Sequence, residues 1–324
     1  MTVNREGSLV LTVLNEARSL HTFLDSLLAQ TVLPTEIIVV DGGSTDTTAD
    51  ILRAWTAPAG CKLRVIVEPG ATISEGRNLA VTQASYRRIL VTDGGTTLDE
   101  AWVERMLAAF DTLGAPGVVG GFFRPVGSTL LERAIAFTVT PELHEIDPAT
   151  FLPSSRSLAF VREAWEGAGG YPEWLDYCED LVFDINMKDR GFKFAFVPDA
   201  IVTWSARSSI PSFVKQYFRY ARGDGKANLW WKRHMVRYLA YVVGLVMLCT
   251  SFITPWAIVP LVAGFVIYMH KFWSRVWNRR LSFGAGVFRG LALVPVIVVV
   301  GDLAKMAGYP VGLLWRAARA NGIR

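Results

Sequence analysis

Three short segments of the chain combine an acid with glycine or amide residues, and each directly follows an apolar run. They are Asn15-Glu16, Asp41-Gly42-Gly43-Ser44 and Asp93-Gly94-Gly95. A carboxylate in such a place can accept a hydrogen bond from a ribose hydroxyl or a base N–H, and glycine lets backbone amides approach a ligand. Asp-Gly is also ordinary turn chemistry, so any one segment alone is equally compatible with a structural turn. The three together indicate a ligand site.

The elements that would position these segments alternate along the first part of the chain. Four short apolar runs, rich in Val and Ile, are typical of buried parallel strands: Leu9–Leu14, Ile37–Val40, Leu63–Val67 and Ile89–Val91. Two helical stripes lie between or after them: Leu20, Phe23, Leu24, Leu27 and Leu28, and then Trp102, Met106, Phe110 and Leu113. Thr97 and Glu100 predict a capping box for the second helix. The alternation predicts an α/β fold with a doubly wound sheet, whose ligands bind at the carboxyl ends of the strands.

In this order the segments resemble those of the family 2 glycosyltransferases, whose domain has the GT-A fold, a Rossmann-like nucleotide-sugar domain. The resemblance covers about residues 7–205 and implies an inverting transfer of a sugar from a nucleotide-diphosphate sugar. It places Glu16 and Asp41 at the nucleotide base and Asp93 at the ribose or the diphosphate. It also places Arg77 below the diphosphate, where an arginine could pair with phosphate oxygens. A surface arginine on an amphipathic helix fits the same pattern.

The later segment Glu179-Asp180, which follows Gly169-Gly170-Tyr171, resembles the part of the family that faces the acceptor. The resemblance makes Asp180 the general base and puts Glu179 on the acceptor side. A sugar hydroxyl is a poor nucleophile, so a carboxylate must take its proton as the new bond to C1 forms. Acids in the first turn of a helix also favour the helix dipole, which is a purely structural explanation for the same pair.

Two departures from the family pattern concern a metal ion. Gly95 stands where the second carboxylate of an Asp-x-Asp motif is usual, and Thr203-Trp204 stands where a histidine is often found. Magnesium and manganese prefer oxygen ligands. Asp93 is therefore the main candidate metal ligand, and the use of Mg²⁺ or Mn²⁺ is left open. Arg156 is a candidate for a fixed positive charge near the donor, or a surface residue.

The two halves of the chain differ in charge. Residues 1–204 contain 16 Lys or Arg and 27 Asp or Glu, whereas residues 205–324 contain 17 and 2. Uniform basicity would indicate nucleic acid, but a basic block beside long apolar runs indicates anionic lipid headgroups. The chain is therefore predicted to have a membrane and no nucleic acid among its partners.

The run Tyr238–Met269 contains 32 residues without a charge and is interrupted at Thr254-Pro255. Because one spanning helix needs about 20 apolar residues, the run predicts two membrane helices that turn at Pro255. Basic residues flank both ends, which places both ends on the cytosolic side. A buried hairpin in a soluble protein is the alternative.

The last apolar region, Phe283–Trp315, is interrupted by charges and by Pro295 and Pro310. The basic residues Arg316 and Arg319 favour a cytosolic C-terminus, which requires an even number of crossings. Two readings stay open: the region crosses twice with short helices, or part of it lies in the membrane interface.

Between the two halves, residues 206–236 are predicted to be a basic amphipathic segment on the membrane surface. Gln216 and Arg219 are similar to the Gln-x-x-Arg-Trp element of processive family members, with Tyr220 in the Trp position. The resemblance puts both residues on the acceptor side, although amphipathicity alone also explains them.

These observations predict three segments: a GT-A domain over 1–205, the interfacial segment over 206–236, and membrane helices over 237–324. The predicted function is sugar transfer at the cytosolic face of the cell membrane to a lipid-linked or amphiphilic acceptor in cell-envelope synthesis. One alternative is a polyprenyl-phosphate sugar synthase, whose phosphate acceptor needs no general base. Another is a non-catalytic nucleotide-binding membrane scaffold, for which the missing Asp-x-Asp is the argument.

Overall fold

The computed structural model describes residues 6–320, which divide into two units. The first unit comprises the described residues up to Arg124 together with Leu143–Trp204. The second comprises Pro125–Glu142 and the described residues from Ser205 onward. The predicted division at 205/206 and 236/237 remains a prediction.

A mixed sheet forms the centre of the first unit. Its strands are β1 (Ser8–Val13), β2 (Glu36–Asp41), β3 (Lys62–Val67), β4 (Arg88–Asp93), β5 (Thr96–Leu98), β6 (Val118–Val126), β7 (Leu158–Val161) and β8 (Phe194–Ser205). Their order is β3-β2-β1-β4-β7-β6-β8-β5. The first four strands are parallel, whereas β7 pairs antiparallel with both β4 and β6, and β5 pairs antiparallel with β8.

Helices connect the strands and form the second unit. They are α1 (Ala17–Leu28), α2 (Thr48–Ala54), α3 (Ile73–Gln83), α4 (Trp102–Thr112), α5 (Leu130–Val139), α6 (Arg162–Ala168), α7 (Glu179–Asp189), α8 (Ile210–Ala227), α9 (Trp231–Ser251), α10 (Ile258–Asn278) and α11 (Val287–Ala320). Helices α5 and α8–α11 belong to the second unit. The α/β, Rossmann-like fold class predicted from the sequence is confirmed.

The four predicted parallel strands and both predicted helices are confirmed as elements, but β3 is an edge strand that is not buried, with Val67 44% exposed. Two further local differences concern the helices. Leu28 and Leu113 are each half exposed, so they are not part of the buried stripes. The capping box of Thr97 and Glu100 is wrong: Thr97 pairs with Thr203 in the β5–β8 ladder, and α4 begins after Ala101 without a side-chain cap. Ladder pairing holds Thr97 in extended backbone, which removes it from the helix start.

In the second unit, α9 and α10 form a hairpin that turns through a 3-10 segment at Pro255–Ala257. Among the described residues, three helical segments are long and apolar enough to span a bilayer: Trp231–Ser251, Pro255–Asn278 and Gly284–Arg319. The first two are almost entirely unburied in the structure. The hairpin is therefore not buried within the part of the chain that the structure describes, in contrast to what the soluble alternative requires.

The region after Phe283 forms one long helix and not two short ones. Helix α11 continues for 34 residues through both Pro295 and Pro310. Of the two interpretations left open, the one with two crossings by short helices is wrong.

Glycines bring α8 and α11 into close contact. A Cβ added to Gly308 of α11 would collide with the carbonyl oxygen of Phe218, and one added to Gly312 would collide with that of Arg222. From the other side, a Cβ on Gly225 of α8 would collide with the carbonyl oxygen of Tyr309. Small residues four apart allow helix backbones to approach this closely. The side of α8 that carries Phe218, Arg222 and Gly225 is therefore packed on α11.

Candidate active site

The ends of β2 and β4 lie on either side of the end of β1. In the parallel register Val13 pairs with Asp41, and Thr12 pairs with Asp93. Glu16 follows the end of β1 and starts α1. Three of the predicted donor residues therefore lie along one rim of the sheet, as the carboxyl ends of parallel strands require.

Asp41 is fully buried, and only one of its carboxylate oxygens is used by the protein. Its Oδ1 accepts hydrogen bonds from the N–H groups of Gly43 and Ser44, at 3.1 and 2.8 Å, and from the Ser44 hydroxyl at 2.7 Å. Its Oδ2 is buried and has no hydrogen-bond partner among the described residues. Because buried polar atoms are almost always paired, Oδ2 is an acceptor available to a ligand.

Asn15 joins the loop after β1 to the loop after β2. Its side-chain oxygen accepts a hydrogen bond from the N–H of Thr45 at 2.9 Å, and its own N–H donates to the Ser44 hydroxyl at 2.9 Å. It has a φ of 56°, a conformation that asparagine adopts more easily than most residues. The two loops therefore support each other, and they hold Asp41 in place before any ligand binds.

The side chain of Glu16 lies next to Gly95. The Ser19 hydroxyl donates a hydrogen bond to Glu16 Oε2 at 2.6 Å, and a Cβ built on Gly95 would lie 3.2 Å from that same oxygen. Gly95, where the family usually has its second carboxylate, therefore lies beside the carboxylate of Glu16 at the end of β1.

Arg77 of α3 is buried between two carboxylates. Its Nη2 lies 2.8 Å from Asp93 Oδ1 and its Nη1 lies 2.9 Å from Glu179 Oε1. The residue is only 2% exposed, so the surface location that its helical pattern allowed is wrong. The guanidinium also lies 5.2 Å from the centre of the Tyr171 ring. A buried charge needs such partners, and here they connect the end of β4 to the start of α7.

Glu179 and Asp180 begin α7, as the sequence predicted, but their environments differ. Burial, followed by the negative charge of Asp180, raises the pKa of Glu179 to about 7 against the opposing effect of Arg77. Asp180 is partly exposed, and its Oδ1 accepts a hydrogen bond from the N–H of Leu181 at 2.9 Å. Of the two acids, Asp180 is the one that an incoming molecule can reach.

Asp184 lies one helical turn after Asp180 and was missed by the sequence analysis. It is fully buried, and neither of its oxygens has a hydrogen-bond partner among the described residues. Burial, together with the charge of Asp180, raises the pKa of Asp184 well above its usual range. Burial therefore favours the protonated form of this carboxyl in the folded protein. The available signal was its place beside Phe183 and Met187 on the buried face of α7.

Arg156 and Trp204 lie together on the other side of Asp93. Arg156 Nε is 3.6 Å from Asp93 Oδ2, and the guanidinium lies 5.3 Å from the centre of the Trp204 ring. The indole N–H of Trp204 is buried and has no hydrogen-bond partner among the described residues. Trp204, at a position where the family often has histidine, therefore adds an unused hydrogen-bond donor and not a metal ligand.

The donor set around Asp93 does not fit a metal centre built by the protein. One oxygen of Asp93 is in an ion pair with Arg77, and the other faces Arg156. No group of three or more His, Cys, Asp or Glu that could hold a metal ion occurs within residues 6–320. Both oxygens of Asp93 therefore face arginines, whereas the sequence made this residue the main candidate metal ligand.

Gln216 and Arg219 lie on α8, in the second unit. The Gln216 amide donates a hydrogen bond to the Tyr220 hydroxyl at 2.8 Å. Their predicted place on the acceptor side remains a prediction.

Several known glycosyltransferases are similar to this chain. A family model described as "Glycosyl transferase family 2" matches residues 8–151. Glycosyltransferase AglE of Haloferax volcanii is 28% identical over 229 residues, which is 69% of this chain and 73% of the relative. The succinoglycan biosynthesis protein ExoA of Rhizobium meliloti is 26% identical over 67% of this chain and 68% of its own length.

Two solved structures show the same fold at low sequence identity. S. aureus TarS 1-349 in complex with UDP is 16% identical with a TM-score of 0.51, over 98% of this chain and 92% of that one. The mannosyltransferase PcManGT from Pyrobaculum calidifontis, in complex with GDP-Man and Mn²⁺, is 16% identical with a TM-score of 0.52. That match covers 96% of this chain and 86% of the other.

Replacing Asp184 by asparagine is expected to change how stability depends on pH. Because folding raises the pKa of Asp184, the folded wild type retains a proton that the unfolded chain releases once the pH exceeds the usual carboxyl pKa. The wild type then loses up to about 1.4 kcal/mol of stability per pH unit until the folded-state pKa is reached. Asp184→Asn has no such loss, so the stability difference shifts in its favour as the pH rises above about 4, the usual pKa of an aspartate.

Chemical denaturation across this pH range measures the effect. The matched control is Asp189→Asn, at an exposed carboxylate on the same helix. A stability difference that does not change with pH would mean that Asp184 is ionised in the folded protein.

Proposed function

We propose that this chain, which belongs to glycosyltransferase family 2 and has the GT-A fold, transfers a sugar from a nucleotide-diphosphate sugar to a hydroxyl of a lipid-linked or amphiphilic acceptor. The transfer inverts the configuration at C1. The proposal depends on one observation: three carboxylates lie together on this rim. Asp41 has a buried oxygen without a partner among the described residues, Asp93 is bound by an arginine, and Asp180 is accessible.

Asp41 and Glu16 bind the base end of the donor in this proposal. The buried Oδ2 of Asp41 accepts a hydrogen bond from a base N–H, and the surrounding loop is already in place because Asn15 braces it. Asp93 binds the ribose or the start of the diphosphate. The UDP and GDP-Man named for the two neighbouring structures support a nucleoside diphosphate as this part of the donor.

Arg156 and Trp204 stabilise the leaving nucleoside diphosphate. The Arg156 guanidinium lies over the Trp204 ring, whose indole N–H has no partner among the described residues, and both groups are donors suited to phosphate oxygens. Fixed donors aimed at developing negative charge lower the barrier because they need no reorganisation during the reaction. Arg77 is a positioning residue, since its guanidinium is already bound to Asp93 and Glu179.

Asp180 takes the proton of the acceptor hydroxyl. As that O–H bond breaks, the oxygen forms a bond to C1 of the sugar, and the bond from C1 to the diphosphate breaks on the opposite face. Asp180 ends protonated and the nucleoside diphosphate leaves with the electron pair. The partial exposure of Asp180, next to the buried Glu179, supports this assignment.

The second unit anchors the enzyme in the cytoplasmic membrane with the catalytic domain in the cytosol. Phe252, Ile253 and Trp256 at the turn of the hairpin are each more than 80% exposed. Contiguous apolar surface of this kind is unfavourable in water and suits a lipid environment. The basic residues at the open ends of α9 and α10 support a cytosolic location for those ends.

A lipid-linked acceptor in cell-envelope synthesis is consistent with this anchor. The relatives include ExoA, named for succinoglycan biosynthesis, and the O-antigen chain rhamnosyltransferase WbaN of Salmonella anatum. An acceptor that is held in the same membrane as the enzyme needs no soluble carrier.

Asp180→Asn is expected to lower transfer to a hydroxyl acceptor by about 10²–10⁴-fold, the usual contribution of general-base catalysis. Donor binding should persist, and a thermal shift with nucleoside diphosphates measures it. Asp189→Asn, on the same helix and exposed, is the control that should retain turnover. Near-normal turnover of Asp180→Asn on a hydroxyl would refute the assignment, and full turnover on a polyprenyl phosphate would favour the synthase alternative.

Transfer is expected to persist in EDTA and to respond only weakly to Mg²⁺ or Mn²⁺. The physical reason is that Asp93 is bound by Arg77 and faces Arg156, and the fixed donors Arg156 and Trp204 supply charge for the leaving group. The measurement is the initial rate of transfer with EDTA and with each added cation. Activity that disappears in EDTA and returns with micromolar manganese would contradict the prediction and make Asp93 the first ligand to test.

Thr254→Cys and Ser282→Cys are expected to react differently with a membrane-impermeant maleimide in intact cells. Both sites are exposed, and Cys61, Cys178 and Cys249 are replaced in the background. If the hairpin crosses the membrane twice, Thr254→Cys is labelled in intact cells, and Ser282→Cys is labelled only after the cells are disrupted. The reverse pattern would place the catalytic domain away from cytosolic nucleotide sugars.

A further inference from the structure

Helix α11 has the length and composition of a membrane span, but its contacts do not follow the α9–α10 hairpin from one end to the other. The open ends of the hairpin are where α9 begins, at Trp231, and where α10 ends, at Asn278. The closed end is the turn at Pro255–Ala257. We call the open ends the base of the hairpin. A third crossing packed beside the hairpin would contact it progressively from base to turn.

The first part of α11 lies at the base. The indole N–H of Trp273, near the end of α10, donates a hydrogen bond to the carbonyl oxygen of Leu291 at 3.2 Å. A cavity of about 580 Å³ lies between the same two helices and is lined by His270, Trp273, Ser274, Trp277, Leu291 and Ala292. Just beyond, Arg275 donates to the carbonyl oxygen of Thr138 in α5 at 2.9 Å.

The middle of α11 is held by a buried carboxylate, Asp302. Its Oδ1 lies 2.9 Å from Arg237 Nε of α9 and 3.4 Å from Lys305 Nζ of α11. Its Oδ2 accepts hydrogen bonds from the hydroxyls of Tyr241 of α9 and Tyr268 of α10. One carboxylate therefore fixes α11 to both arms of the hairpin.

These partners mark the limit of the polar part of the hairpin. Arg237 directly precedes the charge-free run Tyr238–Met269, and Tyr241 and Tyr268 lie within four residues of its ends. Beyond them, residues 242–251 and 258–267 are exposed almost throughout. Ionised side chains are costly in the hydrocarbon core, so a network of this kind belongs near its boundary.

The last part of α11 returns to the base. The Tyr238 hydroxyl donates to the carbonyl oxygen of Met306, and the ring of Tyr309 stacks on His234 with ring centres 3.8 Å apart. From Asp302 to Tyr309, residues later in α11 therefore contact residues nearer the start of α9. Further on, Arg316 donates to the carbonyl oxygen of Lys226 at the end of α8.

Both halves of α11 therefore meet the base, and the helix comes nearest to the turn at Asp302. A helix of 34 residues is about 50 Å long, well above the roughly 30 Å of a hydrocarbon core. A helix lying along the membrane surface has no such length limit.

The exposed side of α11 fits that location. Its strongly exposed apolar residues fall on one helical face, because their spacings of seven, eight and three residues keep them within about 140°. They are Phe288, Val296, Leu303, Val311 and Leu314. The glycines that contact α8 lie on the opposite face, and Asp302 lies on the flank between the two. The apolar stripe extends from Phe288 to Leu314, with the exposed Arg289 as its one charged residue, as suits an interfacial helix.

We propose that α11 does not cross the bilayer and lies across the base of the hairpin, in the cytosolic leaflet, with its apolar stripe against the lipid. The partner of this surface is the acyl-chain boundary of that leaflet, and the Asp302 network holds the helix there. The chain then crosses the membrane twice and its C-terminal arginines stay in the cytosol. This inference rests on the membrane anchor of the proposed function.

Cysteine labelling separates this arrangement from a third crossing. A third variant, Ala317→Cys, joins Thr254→Cys and Ser282→Cys in the same cysteine-free background, and it leaves Arg316 and Arg319 intact. Ala317 is exposed near the end of α11. We expect no labelling of Ala317→Cys in intact cells and full labelling after disruption, as for Ser282→Cys.

The deciding result is whether Ala317→Cys and Ser282→Cys are labelled from the same side of the membrane. The same side for both supports the proposal, and opposite sides overturn it. The orientation of the hairpin itself is read from Thr254 and Ser282. A reversed hairpin overturns the proposed orientation and the cytosolic placement of α11, whereas the comparison of Ala317 with Ser282 alone decides whether α11 crosses the bilayer.

A depth measurement tests the proposal independently. A fluorophore is attached to single cysteines at Phe288, Val296, Leu303 and Val311, and lipids with shallow or deep nitroxides quench it in vesicles. We expect the shallow nitroxide to quench all four sites more strongly. The matched series along α9, with cysteines at Leu239, Val246 and Ile253, should show a change of depth. Stronger quenching by the deep nitroxide at Val296 and Leu303 than at the outer sites would overturn the proposal.

Discussion

The buried guanidinium of Arg77 is the contact on which the candidate active site depends. It joins α3 to the end of β4 through Asp93 and to the start of α7 through Glu179, three elements far apart in the sequence. Removing one partner of a buried ion pair typically costs about 3–5 kcal/mol because the other charge is left buried and uncompensated, so a change at any one of these residues affects all three elements. Asp180 follows Glu179 directly, and its position on the rim is set by this ion pair. The same pair fixes one oxygen of Asp93.

The rim was predictable from the sequence because strand patterns, and the acids and glycines that follow them, are local. An apolar run followed by an acid and glycines gave the strands β1, β2 and β4 and the position of Asp41 and Asp93. It did not predict the antiparallel strands: β6 is interrupted by Gly120 and Gly121, and β5 has three residues. These strands form because they pair with strands distant in the sequence, and the local pattern of apolar residues does not show such pairing.

Asp184 and Trp204 show the same limit at the level of side chains. An acid at one position of an apolar helical stripe could have been noticed, but the lack of partners for both its oxygens is a property of the packed core. Likewise, the amphipathic pattern of α8 predicted that one face is covered. It did not show that glycines of α11, more than 80 residues later in the chain, provide part of that cover. Patterns identify a face that needs a partner, and tertiary contacts identify the partner.

The proximity of Gly95 to Glu16 makes these two positions an epistatic pair. Introducing aspartate at position 95 alone would place a second carboxylate beside one that is already bound to Ser19. Like charges this close repel each other, so an aspartate at position 95 would raise the pKa of one of the two acids unless a cation lay between them. The effect of a charge at position 95 therefore depends on the side chain at position 16.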